Sequence, residues 1–141
     1  MGTVMKPAAV ALTTLALGVG ALGCDGKISQ CNRLIKVINE EQKPLREMQG
    51  TDPAALEKLS DTLDSVAKKV TAVELKDDKL VKFRDDYAKM ATDLAKTAKD
   101  TAAALKSADP AKATEAAKSM QSFTQRESDL VDGINKYCSG T

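Results

Sequence analysis

Leu56-Glu57-Lys58-Leu59-Ser60-Asp61-Thr62-Leu63-Asp64-Ser65-Val66-Ala67-Lys68-Lys69-Val70-Thr71-Ala72-Val73 decides the fold. Leu56, Leu59, Leu63, Val66, Val70 and Val73 follow one another at alternating intervals of three and four. That spacing lays one apolar stripe along a helix, and its strict alternation suits left-handed, coiled-coil-like packing. The acids and lysines fall off the stripe. Just upstream, Thr51-Asp52-Pro53 supplies an N-cap followed by proline at the first helical position, where its missing N–H costs nothing.

The same period extends in both directions. Upstream, Ile28, Cys31, Ile35, Ile38, Gln42 and Leu45 share a seam flanked by Leu34, Val37 and Met48, in a segment ending at Gly50, which suits a C-terminal cap. Pro44 lies inside this segment and is expected to kink or divide it, because its ring removes a donor and clashes with the preceding turn. Downstream, the pattern resets between Leu75 and Asp78, with Asp77 or Asp78 able to cap a third segment. Its seam is Leu80, Phe83, Tyr87, Met90 and Leu94, thinning through Thr97, Thr101 and Leu105. Asp109-Pro110 repeats the cap-plus-proline device and opens a fourth, with Ala113, Ala116, Met120, Phe123, Glu127, Leu130, Ile134 and Tyr137 on the seam. No strand alternation occurs past Cys24. Four amphipathic helices joined by short turns predict an all-α, antiparallel up-down four-helix bundle over residues 24–141.

Composition narrows the chemistry. The 141 residues include no His and no Trp, two Tyr, two Phe and three Cys. Without His, a Ser/His/Asp triad, a Cys/His dyad and a His-ligated haem are excluded. Lys and Arg number 21 against 20 Asp and Glu, which provides no electrostatic footprint for nucleic acid. The acid pairs Glu40-Glu41, Asp77-Asp78 and Asp85-Asp86 lack metal-binding spacing, since adjacent helical residues point in different directions. Neither a metal nor a cofactor is expected, and the dispersed acids, lysines and tyrosines do not describe an enzyme.

The N-terminus reads as an address. A single cation, Lys6, precedes an uncharged stretch from Pro7 to Gly23, the order of a secretory signal. The stretch is short and glycine-containing for a transmembrane helix. It runs into Ala21-Leu22-Gly23-Cys24, which resembles the lipobox of bacterial lipoproteins. The resemblance covers about the first 25 positions. It implies cleavage between Gly23 and Cys24, removal of residues 1–23, and lipid on the Cys24 sulfur that holds the domain to a membrane of the cell envelope, facing the periplasm. Ala21 and Leu22 depart from the commonest lipobox residues, and cleavage after Val19-Gly20-Ala21 is the competing reading. Asp25 after the anchor resembles the inner-membrane retention signal of enterobacterial lipoproteins, with the outer membrane as the alternative.

Export to an oxidising compartment makes an odd cysteine count informative. With Cys24 lipidated, Cys31 and Cys138 are left to pair. An up-down topology brings the end of the fourth segment level with the start of the first, so the two should meet at the anchor end.

Two features are candidate sites. Glu127 occupies a seam position, where a carboxylate either finds a partner or escapes to the edge. The third and fourth segments outlast the others, so the hairpin carrying Lys106 and Lys112 is expected to project away from the membrane and offer a partner surface. The reading that follows is a non-enzymatic, lipid-anchored envelope protein, an interaction or structural module with an envelope protein partner. The alternative is a periplasmic small-ligand-binding or sensor bundle with a polar-lined cavity near Glu127. The sequence does not set the oligomeric state.

Overall fold

The computed structural model describes residues 25–140, apart from the side chains of Ala113 and Ala117. Cys24, Gly23 and the expected signal segment lie outside the described residues. The fold is all-α: α1 (Lys27–Glu47), α2 (Pro53–Thr71), α3 (Asp78–Lys106) and α4 (Pro110–Ser139).

Three of the four helix starts are fixed by the same chemistry. The carboxylates of Asp52, Asp77 and Asp109 each accept from the two backbone N–H groups of the first helical turn, at 3.0 to 3.1 Å. Each satisfies donors that have no partner inside the helix. α1 starts at Gly26 without a side-chain cap. Its far end differs from expectation in detail. The helix runs through Pro44 and stops one turn later, at Glu47, with Met48 as its C-cap. Gly50 lies in the α1–α2 loop with φ +106°, where an added Cβ would sit 3.3 Å from both Ala55 and Asp52.

The core forms largely from the expected seams, except that in α1 the flanking Leu34 is fully buried and the seam residue Ile35 only partly. Leu34 and Ile38 of α1, Val66 and Val70 of α2, Leu80, Tyr87 and Met90 of α3, and Phe123 and Ile134 of α4 are all buried. Ile28 departs from its predicted seam and is 73% exposed. α3 carries a second buried stripe, Ala88, Ala91, Ala95, Ala98 and Ala102, again spaced by three and four. Its small side chains let a neighbouring backbone approach closely, and α2 and α3 form the most extensive helix pair.

Contacts between successive helices join the start of one to the end of the next. Arg33 reaches the Glu74 carbonyl while Glu41 pairs with Lys69. Glu57 pairs with Lys106 while Arg84 reaches the Val73 carbonyl. Asp77 accepts from Tyr137 while Asp93 pairs with Arg126. α4 returns to α1 through Cys31–Cys138 at one level and Gln42–Glu127 at another.

Candidate functional site

Glu127 does find a partner. Its Oε1 accepts from Gln42 Nε2 at 2.8 Å and from the Tyr87 hydroxyl at 3.3 Å, so α1, α3 and α4 meet at one carboxylate. The Gln42 amide is oriented from behind, because Arg46 Nη2 donates to its Oε1 at 2.8 Å and leaves Nε2 for Glu127. Tyr87 is 2% exposed, and burial is the main reason its phenol is pushed up to about 12. Among the described residues no cation lies within ion-pair distance of Glu127.

Beside this cluster lies a cavity of about 110 Å³. Leu63, Met90, Leu94, Met120 and Phe123 form much of its apolar wall, and Tyr87, Thr124 and Glu127 its polar part. Glu127 is the single charged residue lining it. The polar triad and the cavity therefore share a carboxylate.

The other end of the domain is knitted around the disulfide. Cys31 and Cys138 are bonded, with Cα atoms 5.8 Å apart, and Cys31 is buried. Next to it, buried Gln30 accepts from the backbone N–H groups of Lys76 and Asp77 at 2.6 and 2.9 Å and donates to the Asp25 carbonyl. One side chain thus satisfies the α2–α3 turn and ties it to the start of α1. Arg33 grips the Asp25 carboxylate with two hydrogen bonds, at 2.6 and 2.7 Å, which lower its pKa. Tyr137 donates to Asp77 at 2.9 Å, and the Lys27 ammonium sits 3.8 Å from the centre of its ring. Backbone N–H donation, first from Leu80, together with the Tyr137 hydroxyl lowers the Asp77 pKa.

The lysines singled out for a partner surface lie at the α3–α4 turn, but the geometry there corrects the expected projection. Lys106 Nζ is 2.6 Å from Glu57 in the second turn of α2, so α2 flanks this turn and only α1 falls short of it. Lys112 is exposed and pairs at 3.6 Å with Asp109, the cap of its own helix. Between the outer parts of α3 and α4 an open groove of about 660 Å³ runs past Thr97, Thr101, Ala104, Ala116 and Ser119 to Lys112.

Glu127 stands out in the sequence, whereas its partners Gln42 and Tyr87, and the turn-binding Gln30, do not. A signal was present for the first pair: Gln42 is the polar member of the α1 seam, as Glu127 is of the α4 seam. For Gln30 there was none, since a polar residue beside the seam says nothing about a turn 46 residues away.

Among the described residues no group of three or more His, Cys, Asp or Glu is placed to hold a metal ion, and no helix is long and apolar enough to cross a membrane. Comparison with protein-family models, curated proteins and solved structures finds no match.

Proposed function

We propose that the chain is a non-enzymatic lipoprotein of the bacterial cell envelope, held at a membrane surface by lipid on Cys24 and presenting an antiparallel up-down four-helix bundle to the periplasm. The pairing of Cys31 with Cys138 is the observation that carries this reading. It accounts for two of three cysteines and leaves Cys24, the one at the end of a lipobox-like segment, for a different chemistry. The disulfide also joins the first turns of α1 to the last turn of α4, so a tether at Cys24 would pull on a cross-linked end of the domain. In this reading residues 1–23 are removed, and Asp25 favours the inner membrane.

The domain then acts as an interaction or structural module toward another envelope protein. The α3–α4 turn supports this assignment, because it lies at the opposite end from the disulfide and combines exposed Lys106 and Lys112 with the groove between the two helices.

Metabolic labelling with an alkyne fatty acid, followed by mass spectrometry of the mature N-terminus, tests the anchor. The expected result is a diacylated Cys24 as first residue, with label lost in Cys24→Ser. An unmodified chain starting at Leu22 overturns the reading and replaces it with a released protein. Photo-crosslinking in the native envelope from Lys106 and Lys112, with Lys89 as a mid-helix control, tests the surface. A discrete adduct from the turn alone is expected, and adducts indistinguishable from those of Lys89 argue against it.

A further inference from the structure

We infer that the cavity beside Glu127 is a binding site for a small organic ammonium ion, a compact primary amine on a short alkyl stem. The inference is independent of the lipid anchor and concerns the interior of the domain.

Three observations converge on this ligand class. The first is an unneutralised charge. Glu127 is half-buried, and its hydrogen-bond partners among the described residues are the neutral Gln42 amide and Tyr87 phenol. A carboxylate withdrawn from water is ordinarily balanced by a cation, and here the described residues bring none within ion-pair distance. Arg46 donates to Gln42 Oε1 and its charge is felt at Tyr87, but it makes no ion pair with Glu127.

The second is the lining. The wall contains no Lys or Arg, so nothing in it repels a cation. It does contain the aromatic rings of Tyr87 and Phe123, whose faces attract ammonium groups, and the polarizable thioethers of Met90 and Met120, which adapt to irregular apolar shapes. An anion would meet the Glu127 charge, and a neutral hydrocarbon would leave that charge unanswered.

The third is size. An apolar cavity of about 150 Å³ accommodates benzene. About 110 Å³ therefore suits a ligand of roughly five heavy atoms, with a stem along Leu63 and Leu94 and an ammonium at Glu127. The neutral polar neighbours have a positioning role. Gln42 and Tyr87 both hold Oε1, which fixes the carboxylate relative to the cavity before any ligand arrives.

The test uses the chain as purified from its host, with its methionine methyl groups labelled with carbon-13, titrated with n-butylammonium chloride against butan-1-ol at matched ionic strength. The expected result is a saturable shift of the Met90 and Met120 methyl signals with butylammonium and at least tenfold weaker binding of the alcohol. Glu127→Gln, which keeps the shape and an acceptor for Gln42, should bring butylammonium down to the level of the alcohol. Equal affinity for amine and alcohol in the unaltered protein overturns the proposal, as does the absence of saturation. Butylammonium binding that survives Glu127→Gln overturns it too. The amine-against-alcohol comparison needs no variant, so it stands even if the substitution disturbs folding.

Discussion

Gln42 and Glu127 stand 85 residues apart in sequence and meet at 2.8 Å, donor to carboxylate, across α1 and α4. α1 is the helix with the sparsest contacts to the rest of the domain, so a polar link of this kind carries weight in placing it. A hydrogen bond to a charged group contributes more than a neutral one, on the order of 1.5 to 3 kcal/mol before partial exposure reduces it. Gln42→Leu and Glu127→Leu should therefore each destabilise the domain. Their effects should overlap, giving a coupling of about 1 kcal/mol in a double-mutant cycle read by urea unfolding. Strict additivity would mean that the contact contributes no energy of its own.

The disulfide closes almost the whole domain, with a sequence separation of 107 residues. In the chain-entropy model, a loop of that length is worth about 5 kcal/mol through restriction of the unfolded chain. The Cys31→Ala, Cys138→Ala double variant is expected to unfold at markedly lower urea, and a reductant should act likewise on the unaltered chain. Because α1 otherwise packs sparsely, amide protection should fall first in Lys27–Leu34 and in the last turns of α4, and last in α2 and α3. A uniform loss of protection would contradict that order.

Ala108 has φ +52°, the left-handed conformation, at the turn between α3 and α4. The N–H of Asp109 reaches back to the Ala104 carbonyl at 3.1 Å, the six-to-one bond of a Schellman closure. Glycine ordinarily fills the left-handed position because a Cβ there costs about 1 kcal/mol or more. Ala108→Gly is expected to stabilise the domain by roughly 0.5 to 1 kcal/mol, the relief of strain being offset in part by the greater freedom of the unfolded glycine. Thermal unfolding of the two chains checks this, and a lower midpoint for the glycine variant would count against the assigned conformation.

The residues that were legible in the sequence are those whose role is set locally. Asp52, Asp77 and Asp109 cap the turns that follow them, and the three-four seam of α2 is buried along almost its whole length. The pairing of Cys31 with Cys138 was legible as well, because a count of three cysteines and a chain that doubles back leave few choices. What was not legible depends on neighbours. The alanine stripe of α3 is buried because that helix packs against both α2 and α4, and the seam of large side chains, which thins through Thr97, Thr101 and Leu105, does not reveal it. Ile28 falls on the α1 seam by spacing, but the buried face of α1 is set by Gln30, Cys31, Leu34 and Ile38, and Ile28 lies off it and stays exposed. The expected projection of the α3–α4 turn rested on helix lengths alone. The five-residue stretch from Met48 to Asp52 carries the chain outward and sets α2 beside that turn, which helix lengths do not reveal.

Alkaline titration provides a test of the Tyr87 environment. Burial raises its phenol from 10.0 to about 12 in the folded protein. A group whose folded pKa is raised contributes stability that is fully present below its unfolded pKa and is lost as pH climbs through the folded one. The window is therefore pH 10 to 12. Two units correspond to about 3 kcal/mol at most, and about half of that is gone by pH 11. Other effects of alkaline pH act equally on Tyr87→Phe, which has no phenol to ionise at this position. Unfolding in urea at pH 8, 10 and 11 should show the unaltered chain losing stability more steeply than Tyr87→Phe, with the gap opening above pH 10. Parallel losses in the two proteins would place the Tyr87 hydroxyl in contact with water, and with it the polar end of the cavity.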